Sequence, residues 1–372
     1  MSVEPSPTGG PNDGGARHVL DDASIEWLRA GGPAGDVVFS SRVRLARNLS
    51  GLPFVGRATP EQKQRTLDLV REAIRGTDLP DRWVWLNIHE TPASDRGLLV
   101  ERHLISKQLQ KGRGAAIGED PRAVAFCTPG ERVSIMVNEE DHLRLQVIRS
   151  GLDLSDAWAQ ADRIDDSLEA ALDFAYAPRL GYLTACPTNI GTGARMSVML
   201  HLPALRMTGD IDKVKRAAGD MGLAVRGFYG EGSEAAGDLY QLSNQTTLGK
   251  SEAMILSDLE SVIIPRVIEY ERIARKTLLT KRTNFLLDQI YRSLGAARHA
   301  RLMTAEEAMQ HLSNIRMGCI LGVIKDVEPA LLNLLLLLVQ PTHLQRVFGK
   351  DLDQDARREA RALLLRTRLG GV

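Results

Sequence analysis

Four arginines stand in polar motifs on or beside strand-like runs. Arg42 and Arg44 lie in Ser40-Ser-Arg-Val-Arg-Leu-Ala-Arg-Asn48, Arg144 closes Asn138-Glu-Glu-Asp-His-Leu-Arg144, and Arg195 closes Cys186-Pro-Thr-Asn-Ile-Gly-Thr-Gly-Ala-Arg195. The guanidinium fork is planar, permanently charged and bidentate, which suits it to phosphate oxygens. Four converging forks would suit a triphosphate. Taken singly, each arginine reads first as an ordinary surface ion pair, which contributes little. The acids have the opposite problem. Glu139, Glu140 and Asp141 are consecutive, and like charges so close must be neutralised by a cation, a metal or a raised pKa. A second acidic pair, Glu231 and Glu234, sits in the Gly-rich run Gly230-Glu-Gly-Ser-Glu-Ala-Ala-Gly237. Two carboxylates from separate segments could grip one guanidinium, each from a different edge, although a loop acid such as Glu234 reads first as solvated. Cys186 opens a turn in which Gly191 and Gly193 flank Thr192, so the backbone there can turn tightly or approach a ligand. A thiol beside cations has a lowered pKa; elsewhere a free cysteine is a small buried hydrophobe. No Ser-His-Asp spacing, Walker A loop or protein-kinase signature is visible. The residues alone describe an anion-clamping enzyme with paired acids.

These groups need elements to hold them. Asp36 to Leu45 alternates near its end and reads as a strand, which puts Arg42 and Arg44 on one face. Trp83 to Ile88, Ala123 to Cys127 and Arg132 to Val137 read as further strands, the last two joined by a turn at Thr128-Pro-Gly-Glu131. A strand-like run follows Arg195, and Leu223 to Tyr229 and Asp238 to Ser243 complete the set. Helices are expected around Asp22 to Leu28, after Thr59-Pro-Glu-Gln62 (a capping box with proline at the first helical position), from Leu154 to Phe174, and from Asp210 to Met221. From Glu252 onward only helical patterns remain. Thr304-Ala-Glu-Glu307 is a second capping box, and Leu331 to Leu338 is apolar on every face, as in a helix buried on all sides. The strands do not alternate regularly with helices, which argues for an α+β class with a largely antiparallel sheet flanked by helices, followed by an all-α C-terminal domain. The expected division is a disordered Pro/Gly-rich tail over 1–18, a catalytic domain over 19–256, and a helical domain over 257–372 suited to dimerisation.

Composition narrows the class. The 372 residues carry 47 Lys and Arg against 47 Asp and Glu, with a pI near 7.1, so bulk charge does not argue for nucleic acid or an anionic membrane. The three cysteines, Cys127, Cys186 and Cys319, have no metal-ligand spacing, and a sparse odd count fits a reducing cytoplasm. No signal peptide is recognised, and the longest apolar run is too short to span a bilayer.

Ser41-Arg-Val-Arg44, Asn138 to Arg144 and Cys186 to Arg195 together resemble the three signature blocks of the phosphagen (guanidino) kinase family. Arg226-Gly-Phe-Tyr-Gly-Glu-Gly-Ser-Glu234, Gln241-Leu-Ser-Asn-Gln-Thr-Thr-Leu-Gly-Lys-Ser-Glu252 and the appended helices make the chain most similar to the bacterial protein-arginine kinase branch. The resemblance covers roughly residues 24 to 255 and implies a glutamine-synthetase-like catalytic fold. It implies that Arg42, Arg44, Arg144 and Arg195 hold the phosphates of ATP, bridged by Mg²⁺, with His103 near the nucleotide. It extends nucleotide contact to Ser40, Ser41, Val43, Met196, Ser197, Val198, Met199, Gly230 and Glu231. Glu140 and Glu234 would orient the acceptor guanidinium, Glu140 being the base, and Cys186 would tune it without a covalent intermediate. A guanidinium is protonated and delocalised, hence a poor nucleophile until carboxylates align it and accept a proton. The implied products mark proteins for a Clp-type protease or alter a stress repressor, and the implied partners are arginine-bearing protein substrates, a second copy of the chain, an activator protein and a Clp ATPase. A kinase for free arginine and a catalytically weak phosphoarginine-binding adaptor are the alternatives.

Three departures stand out. Tyr229 occupies the place of a further phosphate-binding arginine of the small-guanidine kinases, with Arg226 the nearest substitute. The helical lead that closes those enzymes over a free amino acid is short here, which would admit an arginine on a polypeptide. The branch's Arg-Asp-x-x-Arg-Ala phosphoarginine motif is matched by Arg357-Arg-Glu-Ala-Arg-Ala362, which keeps Arg357 and Arg361 but puts Arg358 in place of the acid; a plain basic helix face is the other reading.

Overall fold

The computed structural model describes residues 24–76, 82–111, 120–227 and 236–371. The expected tail over 1–18, and Tyr229, Gly230, Glu231 and Glu234, lie outside them.

The described residues build an antiparallel sheet of eight strands: β1 (Val38–Arg47), β2 (Arg82–Asn87), β3 (Ala123–Thr128), β4 (Val133–Val137), β5 (Leu143–Ser150), β8 (Ala194–His201), β9 (Leu223–Arg226) and β10 (Leu239–Asn244). Their order is β2-β3-β4-β5-β1-β8-β10-β9, so β1 is central, between β5 and β8. The short β6 (Tyr176–Ala177) and β7 (Gly181–Tyr182) form a separate hairpin. Among the described residues six helices accompany the strands: α1 (Pro60–Gly76), α2 (Ala93–Glu101), α3 (Lys107–Lys111), α4 (Leu154–Glu169), α5 (Pro203–Thr208) and α6 (Ile211–Asp220). The expected N-terminal helix is, in its described part, a single tight turn over Glu26–Leu28. From α7 (Glu252–Ser257) only helices follow. A π-helical stretch, Asp258–Ile263, leads into α8 (Ile264–Lys281), α9 (Thr283–His299), α10 (Ala305–Ile320), α11 (Pro329–Leu338), α12 (Pro341–Phe348) and α13 (Gln354–Leu369).

Local rules set the boundaries. Thr59 and Gln62 exchange backbone-to-side-chain hydrogen bonds of 2.9 and 3.3 Å ahead of α1, and Thr304 and Glu307 do the same for α10, so donors that would be orphaned at each helix start are met. Along β1 the alternation is clean: Val43 and Leu45 are buried on the back of the sheet, where α4 packs. A smaller apolar cluster lies on the opposite face, where Leu98 and Leu99 of α2 and Leu109 of α3 cover Val124, Phe126 and Met136. It forms one wall of a cleft over the middle of the sheet.

The later helices are bound to the sheet by buried polar groups rather than by apolar contact alone. Glu101, at the end of α2, accepts the Thr342 and His343 amides at 2.8 and 2.9 Å and so caps α12. Glu271 of α8 accepts the Ala204 and Leu205 amides at the start of α5. Arg316 of α10 donates to the Gly35 carbonyl at 2.7 Å and to His201 Nδ1 at 2.8 Å. Because Nδ1 accepts, Nε2 carries the proton and donates to Ser313 Oγ at 2.9 Å, which in turn donates to Asp238 at 2.6 Å. Burial, then Arg316, hold the His201 pKa well below its usual value.

Candidate functional site

Register assembles the site. Residues directly opposite one another on paired strands share a face. Arg44 lies opposite Arg195 and Gln146, and Arg42 opposite Ser197 and Ile148. Gln241 lies opposite Met199 on one side and Arg226 on the other. One sheet face therefore collects Arg42, Arg44, Arg144, Arg195 and Arg226 around a cleft of about 580 Å³, which His103, Glu139, Glu140 and Cys186 also line. Ser40, Ser197 and Met199 line a narrow slot beside it, with Trp27, His103 and Gln241. Strand alternation sends the side chains of Ser41, Val43, Met196 and Val198 to the other face, where they are buried away from the cleft, and Ser41 Oγ donates to the Gly151 carbonyl.

The cleft is strongly cationic. Burial first, then Arg144, Arg195 and Arg226, push the Arg42 pKa down to about 10. Arg44 is held well below its usual value by burial and by the same neighbours together with Arg42, and its Nε has no hydrogen-bond partner. Five guanidinia held this close call for an anion. His103 has a left-handed backbone (φ 61°). Its carbonyl accepts from Gln146 at 2.7 Å, and its ring meets Trp27 edge-on at 5.0 Å. Burial, then Arg42, lower its pKa to about 3, so it faces the cleft as neutral imidazole.

Two of the consecutive acids meet a guanidinium and the third meets amide donors. Arg144 pairs with Glu139 at 2.8 Å and Glu140 at 3.0 Å. Asp141, fully buried, accepts from Asn48 Nδ2 and from the Ala185 amide, both at 2.7 Å. That second bond ties the segment before Cys186 to the acid turn. Cys186 Sγ lies 3.1 Å from Thr188 Oγ1. The following turn is held from behind, as Thr247 Oγ1 donates to the Thr188 and Ile190 carbonyls. Its glycines are sterically required: at Gly191 (φ +110°) an added Cβ would lie 2.3 Å from the Thr247 carbonyl oxygen, and at Gly193 (φ +65°) 2.6 Å from Arg47 Nη1.

No individual role in the site is assigned from sequence to Asp141, Asn48, Thr247 or Gln241. The first three act through partners far away in the chain. Gln241 is 2% exposed, yet neither side-chain amide atom has a partner, and it lines both cleft and slot. Its paired donor and acceptor are available to a ligand. In the helical region, Arg361 is buried and its guanidinium donates to the Val339 and Met303 carbonyls at 2.7 and 2.9 Å. Arg358 pairs with Asp355 at 3.6 Å. Arg361 thus serves as a clamp between helices, and Arg357 is the half-buried arginine left at that face.

The chain is similar to known proteins along most of its length. A family model for the ATP:guanido phosphotransferase C-terminal catalytic domain matches residues 66–274, and one for the protein-arginine kinase McsB C-terminal domain matches residues 283–372. The protein-arginine kinase of Symbiobacterium thermophilum is 44% identical over 361 residues, 95% of this chain and 99% of the relative. That of Brevibacillus brevis is 45% identical over 355 residues, 95% and 97% of the two chains. Among solved structures, lombricine kinase matches with a TM-score of 0.54 at 24% identity, over 67% of this chain and 71% of the other. The duplicated taurocyamine kinase of Schistosoma mansoni matches with a TM-score of 0.56 at 22% identity, over 76% and 41%; these two likenesses concern the fold. The chain belongs to the ATP:guanido phosphotransferase family and, within it, to the protein-arginine kinases.

Proposed function

We propose that this chain transfers the γ-phosphoryl group of ATP to arginine side chains of proteins. The observation that carries the reading is the gathering of five guanidinia, Glu140 and Cys186 around one cleft, in a chain whose relatives are named protein-arginine kinases. Arg42, Arg44, Arg144, Arg195 and Arg226 take up charge on the triphosphate, and Gln241 with the neutral His103 contacts the nucleoside end. Mg²⁺ would enter on the phosphates of its nucleotide and supply further charge neutralisation there. Glu140 aligns the acceptor guanidinium and accepts its proton as nitrogen attacks phosphorus; Glu234 is its partner carboxylate in this proposal. Cys186 polarises the guanidinium from the side. Because little covalent chemistry falls to the protein, positioning and electrostatics supply most of the rate. The bacterial cytoplasm as location, a homodimer formed through the helical domain, and partnership with an activator and a Clp ATPase belong to the same proposal. Among the described residues no helix is long and apolar enough to cross a membrane.

The test is mass spectrometry under non-acidic conditions, since P–N bonds are acid-labile. The chain is incubated with MgATP and an unfolded arginine-containing protein, with free arginine in a parallel tube and Glu140→Gln as control. Phosphoarginine on the protein, absent with the variant, is expected. Phosphate on free arginine alone would overturn the choice of acceptor, and no transfer in either tube would overturn the reaction.

A further inference from the structure

Glu139 takes no part in the reaction as proposed, yet its side chain is completely buried at the floor of the cleft. Its Oε1 accepts from Ser106 Oγ at 2.6 Å and from Arg144 Nη1 at 3.0 Å. Its Oε2 accepts from the Glu140 amide at 3.1 Å and lies 2.8 Å from the same Nη1. Ser106 is fixed in its turn, because its Oγ also accepts the Leu109 amide at 2.9 Å. One edge of Arg144 is therefore anchored from below. Its other nitrogen, Nη2, donates to Glu140 Oε2 at 3.0 Å, at a point where both side chains face the cleft. In this arrangement the carboxylate assigned to the acceptor is already held by a cation assigned to the nucleotide.

We propose that Glu139 is a positioning residue: it fixes Arg144 by one edge so that the other edge passes from Glu140 to the nucleotide phosphates, and nucleotide binding thereby uncovers Glu140 for the acceptor guanidinium. The inference rests on the phosphotransfer reading above. Phosphate oxygens compete for Nη2 with the same kind of charge-assisted bond that the carboxylate makes. Four further guanidinia draw the phosphates to that spot, so the exchange is biased toward the nucleotide once it arrives. An unanchored arginine would instead follow Glu140 and cover it permanently. The device lets the acceptor bind well only after ATP is in place, and linkage makes the coupling reciprocal.

The experiment is calorimetric titration of the full chain with an unfolded arginine-containing peptide, with and without a saturating non-hydrolysable ATP analogue and Mg²⁺. The wild type should bind the peptide at least about fivefold tighter with the analogue present. Glu139→Gln keeps the shape and an acceptor for Ser106 but removes the charge that anchors Arg144. It should melt near the wild-type temperature while the coupling falls below about twofold and kcat/KM for the peptide drops more than affinity for the analogue. No coupling in the wild type, or wild-type coupling in a folded Glu139→Gln, overturns the proposal. Should Glu139→Gln fail to fold, Glu140→Gln takes its place: with no carboxylate to uncover, coupling should vanish, and its persistence overturns the proposal. Phosphoryl transfer by the wild type, read separately, tests the reaction itself. Transfer without coupling sinks the exchange of Arg144 and leaves the reaction standing.

Discussion

Arg44→Met should make the empty protein more stable and nearly useless. Arg44 is two residues from Arg42 on β1 and directly opposite Arg195 on β8. Two residues along a strand are about 6.6 Å apart, and like charges at that separation repel by about 2.5 kcal/mol at an effective dielectric of about 20. Salt and the splay of long side chains reduce this, and methionine fills the same space without an orphaned Nε, so a net gain of about 1–3 kcal/mol is expected. In a chain of this size that corresponds to a rise in melting temperature of the order of 1–3 °C. Losing one charge-assisted phosphate contact costs about 2–3 kcal/mol, or about 100-fold in nucleotide affinity. The assay is thermal unfolding of wild type and variant, each without nucleotide and with saturating MgADP, together with a titration for Kd. The ranking should invert between the two conditions: variant above wild type when empty, wild type above variant when loaded. A variant that melts lower than wild type without nucleotide would refute the reasoning, since the cleft would then be held together by Arg44 rather than strained by it.

Gln241→Leu removes an amide whose two polar atoms have no protein partner, so the melting temperature should hold or rise while KM for ATP increases about tenfold; an unchanged KM would remove Gln241 from the nucleotide site. Cys186→Ser should slow phosphoryl transfer yet leave it measurable, and complete loss with normal ATP binding would contradict a purely electrostatic role. His201 is buried and held well below its ordinary pKa of 6.5, so the unfolded chain takes up its proton first as pH falls. Its share of stability is intact above about pH 6.5 and is lost at about 1.4 kcal/mol per pH unit below that. Melting temperatures measured from pH 7.5 to 5 should fall, and more steeply than in His201→Gln; equal slopes would show that this histidine is not what acid attacks.

Sequence periodicity makes some of the site legible and leaves other parts dark. The two-residue spacing of Arg42 and Arg44 is enough to put them on one face of β1, and the same spacing sends Val43 to the core. The hairpin of β3 and β4 follows from Thr128-Pro-Gly-Glu131, and the helical ends at Thr59 and Thr304 from their capping boxes. By contrast, β5 hides inside a motif that stands out for its charges. Leu143, Leu145 and Val147 alternate with Arg144 and Gln146 as any half-buried strand does, but a reading centred on the acids passes over it. That omission matters, because β5 is what brings Arg144 beside Arg44. The roles of Asn48, Asp141 and Thr247 are dark for a different reason. Asn48 and Asp141 are 93 residues apart, and no local pattern reports such a bond. Gln241 stands out only in the fold, where it is buried and neither of its amide atoms has a partner.

Charge explains why the helices after Glu252 are fastened so heavily. A sheet that gathers five guanidinia on one face carries their mutual repulsion there, so rigidity is supplied by groups outside the cleft. Asp36 receives Arg272 at 2.6 Å, and its backbone carbonyl receives Arg275 and Arg316 at 3.1 and 3.3 Å. Asp238, two residues from Ala236 at the edge of the acidic loop segment, is bound by Arg206 of α5 and by Gln310 and Ser313 of α10. Glu101, two residues before His103, caps α12. Each of these carboxylates lies on, or within two residues of, a strand or helix that leads into the cleft, and each is met by groups that include a member of the helical region. The helices therefore fix the ends of the elements whose middles carry the chemistry, and a change in their packing would reach the arginine clamp through Glu101 and Asp238 before it reached any apolar core.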